Sequence, residues 1–325
     1  MNILITGGAG FIGSHLAKAL LKDKHSVIAL DDLSTGSLKN IVNLNGEKNF
    51  ELIIGDVCDD ILVEKLVKKS DMIFHLAAVV GVKHVMKNPV STIRVNTLGT
   101  ENVLHSSSAF NKKVLIASTS EVYGKAMHYS KSSNGLSEDN DSVFGNTSIR
   151  RWAYATSKAL DEFMTLAYYH EKSLPAVIVR FFNTVGPGQL GDYGMVLPIF
   201  VKKALANDPI PIFGDGLQKR SFTHVSDAIK GIIALMNTKE AFGNVFNVGN
   251  ENEITILDLA KRVIERSKSN SEVEYISYEK AYGNGFEDMR RRKPDLTKIR
   301  KLIGYEPKYS LDEIIDQVIE YQKSS

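Results

Sequence analysis

The sequence predicts an α/β fold: a Rossmann-type doubly wound parallel sheet followed by a smaller carboxyl-terminal substrate-binding domain. Three observations carry this reading. Short apolar runs alternate with amphipathic stretches through the first half, the βαβ rhythm of a parallel sheet. A glycine-rich turn, "TGGAGFIG" at 6–13, joins the first strand to the first helix. After residue 183 the rhythm gives way to Gly- and Pro-rich segments, "NTVGPGQLGDYG" and "DPIPIFGDGLQKRSF".

Taken in order, "NILIT" (2–6) is the first strand, and "SHLAKALLKD" the helix after it. "SVIALD" (26–31), "FELIIGD" (50–56), "MIFHLAA" (72–78) and "VLIAS" (114–118) are the next strands. "DDILVEKLVKK" and "VNTLGTENVLHSSSAF" are helices between them. A helix over 153–172 leads to a further strand, "PAVIVRFF" (175–182). The polar stretch 125–150 interrupts the pattern, and a loop of that length is usually functional or disordered. "GNVFNVGN" (243–250) reads as a strand that returns to the main sheet. The expected division is 1–182, with 220–250 contributing, for a dinucleotide, and 183–325 for the substrate.

The 325 residues carry 40 basic and 38 acidic side chains, a net charge of +2, so no positive excess points to nucleic acid or an anionic membrane. Hydrophobic residues make up 43%, enough for a sizeable core. The single cysteine, Cys58, excludes an intrachain disulfide and a multi-cysteine metal site, and no metal is expected. No apolar run reaches the length of a membrane-spanning helix, and the opening "MNILITG" lacks the pattern of a signal peptide. A cytoplasmic protein is the expectation.

Gly7, Gly10 and Gly13 follow the first strand and open the first helix. Such glycines permit a tight turn and let backbone N–H groups approach a pyrophosphate at a helix N-terminus. Asp31 ends the second strand where an acid accepts from a ribose 2′-hydroxyl and repels a 2′-phosphate, so NAD is favoured over NADP. The expected cofactor contacts extend to Phe11, Ile12, Asp32, Ser34, Gly36, Asp56, Val57, Leu76, Ala77 and Ala78. Further along, "YATSK" places Tyr154 and Lys158 four apart on a helix, on one face. A phenol is a poor base at neutral pH; a nearby ammonium lowers its pKa. Tyr154 is then a candidate base for a sugar hydroxyl, with Lys158 lowering its pKa and holding the nicotinamide ribose. The stretch "STSEVYG" (118–124), at the carboxyl end of a buried strand, adds Thr119, Ser120 and Glu121 where open α/β sheets place their chemistry.

Together these motifs resemble the extended short-chain dehydrogenase/reductases, specifically the NAD-dependent nucleotide-sugar epimerase/dehydratase family, across essentially the whole chain. "RFFNTVGPGQ", "PIFGDGLQKRSFTHVSDA", "FNVGN" and "RRKPDLTKIRKLIGYEP" resemble its substrate-binding segments. The resemblance implies bound NAD, a nucleotide sugar oxidised at C4, and contacts from Asn183, Arg220 and Arg292 to the diphosphate or the sugar. It also implies a homodimer paired through the helices at 95–109 and 155–170, and "PIPIF" lining the base.

Three reactions of that family share the C4 oxidation. Dehydratases carry Thr-Asp-Glu where this chain has Thr119-Ser120-Glu121, and Ser120 is a far weaker acid than the Asp that expels the C6 hydroxyl. Epimerases commonly have a second Ser or Ala where this chain has Glu121. Decarboxylases carry Ser-Glu or Thr-Ser-Glu, and "RRWAYATSK" and "YGNGFEDMRRRKP" resemble the UDP-glucuronate decarboxylases. The expectation is decarboxylation of UDP-glucuronate, with Thr119 and Ser120 on the C4 oxygen and Glu121 serving the C5 proton or orienting the ring. The alternatives are a UDP-sugar 4-epimerase and a non-catalytic NAD-binding regulator.

Overall fold

The computed structural model describes residues 1–129, 135–191, 195–282 and 288–324. Residues 130–134 of the polar stretch, 192–194 of the Gly- and Pro-rich "NTVGPGQLGDYG" and 283–287 of "YGNGFEDMRRRKP" lie outside the described residues.

Strands β1 (Asn2–Thr6), β2 (Ser26–Asp31), β3 (Phe50–Ile54), β4 (Met72–His75), β5 (Lys113–Thr119) and β6 (Ala176–Phe181) form one sheet with the strand Asn244–Val248. All pair in parallel, in the order Asn244–Val248, β6, β5, β4, β1, β2, β3. The order reverses between β1 and β4, so a crevice opens there at the carboxyl ends of the strands.

The central strands are largely apolar because both faces are covered, while the edge strand β3 leaves Glu51 and Ile54 exposed. Along β1, Ile3 and Ile5 point to one side and Leu4 to the other, as the two-residue period of a strand requires. Ile3 and Ile5 join Phe74, Leu115 and Phe246 against Leu16 and Leu20 of α1 (Phe11–Lys22) and the helix Val225–Met236. Leu4 joins Ile73, Val114 and Ile116 against α2 (Asp60–Lys68) and α3 (Pro89–Ala109). Each such fully buried side chain contributes about 1.5–3 kcal/mol of transfer free energy.

Helix α4 (Trp152–Lys172) packs along α3 and against β5. Two helices begin earlier than the apolar pattern indicates. Helix α1 starts at Phe11, directly after the glycine turn. Helix α3 starts at Pro89, whose fixed φ and missing N–H suit a first turn that otherwise reads as polar.

A second core lies beyond residue 183, where the helices Val196–Leu205, Ile256–Ser267 and Leu311–Ser324 enclose Leu197, Val201, Leu259, Val263, Ile315 and Val318. In the small sheet on this side the strand Lys219–Ser221 pairs with Glu253–Thr255 and with Arg291–Arg292, which sets Arg220 opposite Arg292. The described part of 125–150 is tied to the body. Lys125 N donates to Val143 O at 2.7 Å, Leu136 N to Lys293 O at 2.8 Å, and Leu136 is buried beside Tyr123 and Phe182.

Candidate active site

A cavity of about 510 Å³ lies in the crevice and runs from the glycine turn to the small sheet. At its first end the chain is shaped for close approach. Gly7 has φ +73°, and a Cβ there would stand 2.8 Å from the Ala77 nitrogen. A Cβ on Gly13 would strike the Gly7 carbonyl. Any side chain at these positions would press on backbone and displace the turn that opens α1, whose first-turn N–H groups have no side-chain cap.

Asp31 closes β2 with both oxygens engaged: Ala9 N donates to Oδ2 and Leu33 N to Oδ1, each at 2.9 Å. Burial raises its pKa, against the lowering effect of those N–H groups. Each carboxylate oxygen keeps a lone pair for a ribose hydroxyl. The cradle, the helix start and this acid fit NAD. Phe11, Ile12, Asp32, Ser34, Asp56, Val57, Leu76, Ala77 and Ala78 line the same end. Gly36 does not line it. A Cβ there would press on the Asp31 carboxylate, so its smallness lets Asp31 sit in place.

At the other end, β5 runs out at Thr119 into a single 3₁₀ turn, Ser120–Tyr123, that presents Thr119, Ser120 and Glu121 to the cavity. Tyr154, on the first turn of α4, reaches the same point, and its hydroxyl faces Thr119. Asn183, Arg220 and Arg292 line the wall beyond. Asn183 holds the positive φ of +28°, uncommon for a non-glycine residue. Its side chain is fixed on both sides, donating to Ser221 O at 2.8 Å and accepting from Arg292 at 2.7 Å.

Of the two roles expected of Glu121, serving the C5 proton or orienting the ring, its charge environment argues against the first. Burial alone would raise its pKa, but the guanidinium groups of Arg151 and Arg292 outweigh that and hold it down to about 2. Arg151 donates to Oε2 at 3.0 Å, and Arg292 donates to Oε1. A carboxylate so clamped carries no proton to give at neutral pH; its geometry is that of an anchor for two arginines.

Lys158 also differs. It is buried away from the cavity, and its Nζ donates to Asp161 Oδ2 at 2.7 Å. The expected lowering of the Tyr154 pKa is not what the site produces. Burial raises it first, Glu121 and Asp161 raise it further, and the Thr119 hydrogen bond and Arg292 offset only part.

The sequence pointed to Arg220 but not to the second acid of the cluster, Asp288, or to its other partners, Arg151 and Tyr278. Asp288 accepts from Arg220 at 2.9 Å, from Arg151 at 3.3 Å and from the Tyr278 hydroxyl at 3.1 Å. Three guanidinium groups thus share two carboxylates. Arg220, desolvated and set beside two other arginines, has its pKa lowered to about 10 despite Asp288. One signal was available: Arg151 precedes Tyr154 by three residues, hence lies on the same helical side. Among the described residues, no group of side chains is arranged to hold a metal ion.

Residues 4–318 match the family model described as GDP-mannose 4,6 dehydratase, and the chain belongs to that family of NAD-dependent nucleotide-sugar enzymes within the extended short-chain dehydrogenase/reductases. The UDP-N-acetyl-α-D-glucosaminuronate decarboxylase of Bacillus cytotoxicus is 40% identical over 98% of this chain and 96% of its own. UDP-glucuronic acid decarboxylase 2 of Arabidopsis thaliana is 37% identical over 96% of this chain, which spans 66% of that longer protein. Among solved structures, the UDP-glucuronic acid 4-epimerase of Bacillus cereus, in complex with UDP-glucuronic acid and NAD, superposes with a TM-score of 0.88 at 30% identity, over 100% of this chain and 99% of its own.

Proposed function

We propose that this chain oxidises a UDP-linked hexuronic acid at C4 and decarboxylates it, with UDP-glucuronate as substrate and a UDP-pentose or UDP-4-keto-pentose as product. The observation that carries the reading is the turn Thr119-Ser120-Glu121 beside Tyr154, with Glu121 clamped by Arg151 and Arg292. It offers no carboxylic acid to expel a C6 hydroxyl, and it surrounds the sugar position with cations suited to a carboxylate.

NAD, held by the glycine cradle and Asp31, supplies the hydride acceptor. Tyr154 removes the proton of the C4 hydroxyl, and Thr119 and Ser120 hydrogen-bond the C4 oxygen as it becomes a carbonyl. The substrate is then a β-keto acid: its C5–carboxyl bond breaks, CO₂ leaves, and the electron pair moves into a C4–C5 enolate that the same hydroxyls stabilise. C5 takes a proton from a solvent-exchangeable source, which gives the UDP-4-keto-pentose; return of the hydride to C4, with Tyr154 giving its proton back to the C4 oxygen, gives the UDP-pentose. Asn183, Arg220 and Arg292 hold the diphosphate and the sugar carboxylate, while Glu121 and Asp288 keep the arginines apart and oriented. The division of labour follows the expected boundaries, 1–182 with 220–250 for the cofactor and 183–325 for the nucleotide sugar.

A cytoplasmic homodimer is part of the proposal. The one cysteine is free, and no helix among the described residues is long and apolar enough to cross a membrane. Val90 and Ile93 on α3 and Leu160 and Phe163 on α4 are exposed, and an unpaired apolar surface on adjacent helices suits a second copy.

The second reading is a UDP-glucuronate 4-epimerase, favoured by the close superposition on the Bacillus cereus enzyme. A panel of UDP-hexoses and UDP-hexuronates, analysed by mass spectrometry, separates the two. Conversion of a hexuronate with loss of CO₂ supports decarboxylation; a product of unchanged mass supports the epimerase. No turnover of any member, with NAD still bound, would leave the regulator.

A further inference from the structure

Asp161 is a buried charge that the proposed chemistry does not use. It lies one turn after Lys158 on α4, and the two side chains are 0% and 2% exposed. Lys158 Nζ donates to Oδ2 at 2.7 Å. The Thr100 hydroxyl of α3, itself 3.1 Å from His75 Nε2, faces Asp161, and Oδ1 has no hydrogen-bond partner among the described residues. A buried ion pair with a half-satisfied carboxylate is costly, and apolar residues in place of both partners would often pack there at no loss. The charge therefore calls for a use.

Its neighbours indicate one. The groups facing the Tyr154 hydroxyl are Thr119 and Glu121 from the turn after β5, Arg292 from the strand Arg291–Arg292, and Asp161 from its own helix. Those facing the Lys158–Asp161 pair are His75 from β4, Thr100 from α3 and Glu162 from α4. His75 is itself kept neutral by burial, with Lys158 adding to the effect. Two carboxylates thus act on the phenol against one guanidinium, and the ammonium that would favour its ionisation is taken up by Asp161.

We propose that Asp161 is a positioning residue that fixes the Lys158 ammonium and, through its own charge, sets the pH at which Tyr154 turns from phenol to base. One of the three Lys158 N–H bonds is committed to Asp161. The inference rests on Tyr154 being the base of the proposed reaction.

Asp161→Asn keeps the size and an acceptor for Lys158 while removing the charge. Two midpoints are read in the full NAD-loaded chain: the acid limb of kcat/KM, and the ultraviolet tyrosinate signal that Tyr154→Phe abolishes. Removing a negative charge near a phenol favours the phenolate, so both midpoints should fall together, by about one pH unit. Asp161→Glu, which keeps the charge, should leave both near those of the parent. Unmoved midpoints in Asp161→Asn, or an equal movement in Asp161→Glu, would overturn the proposal. A neutron structure of the NAD-loaded parent needs no substitution; it should show Asp161 unprotonated and Lys158 with three protons, and a proton on Asp161 would equally overturn it. Full turnover by Tyr154→Phe would instead remove the base reading, while the tyrosinate titration would still measure how Asp161 acts on that hydroxyl.

Discussion

Tyr154→Phe removes one hydroxyl and almost no volume from a site where that hydroxyl faces Thr119. A general base contributes about 10²–10⁴-fold, so turnover should fall by that factor while circular dichroism and NAD content stay unchanged. Residual activity within about tenfold of the parent would take Tyr154 out of the base role. Asp31 carries a second expectation. Its carboxylate closes β2 beside the glycine cradle and repels a 2′-phosphate, so NAD should bind far more tightly than NADP. Asp31→Ala should narrow that gap in equilibrium binding; equal affinities in the parent would contradict the assignment. At this scale the sequence made legible what is local: the glycines, Asp31, and the Thr-Ser-Glu turn. Charge pairing across the fold was not legible. Glu121 meets Arg292 from 171 positions away, and Asp288 meets Arg151 from 137, so the conversion of Glu121 from proton carrier to anchor depends on contacts no spacing encodes.

The elements of the main sheet were readable because parallel strands covered on both faces are continuous apolar runs, as in "NILIT" and "VLIAS". The helix starts at Phe11 and Pro89 were not, since a glycine and a polar first turn hide the period. The strands Lys219–Ser221 and Arg291–Arg292 are too short for any period to appear, yet their pairing is what brings two arginines together. At the end of β4, His75 sits fully buried between Thr6 at 2.7 Å and Thr100 at 3.1 Å. Burial, helped by Lys158, lowers its pKa from 6.5 to about 3. The unfolded chain therefore takes up a proton on this residue before the folded chain does. Stability should decline as pH falls from 6.5 towards about 3, with no loss from this source above that window. Urea unfolding across the window, compared with His75→Asn, checks this; a parent and variant with identical pH slopes would contradict it.

Across the whole molecule, residues before and after 183 both line the cavity, and the arginine cluster joins Glu121 and Arg151 to Arg220, Asp288 and Arg292. The fold and the family were legible because the motifs span the chain in order; the reaction was narrowed by one turn, Thr119-Ser120-Glu121. The central claim is that C5 becomes a carbanion equivalent when CO₂ departs. It is tested most directly by supplying the NAD-loaded protein with UDP-glucuronate in deuterated water and analysing the product by mass spectrometry and NMR. Decarboxylation predicts a UDP-linked pentose, or its 4-keto form, lighter by the mass of CO₂ and carrying deuterium at C5. A UDP-hexuronate of unchanged carbon content, inverted at C4 and unlabelled at C5, would contradict the decarboxylase and establish the epimerase in its place.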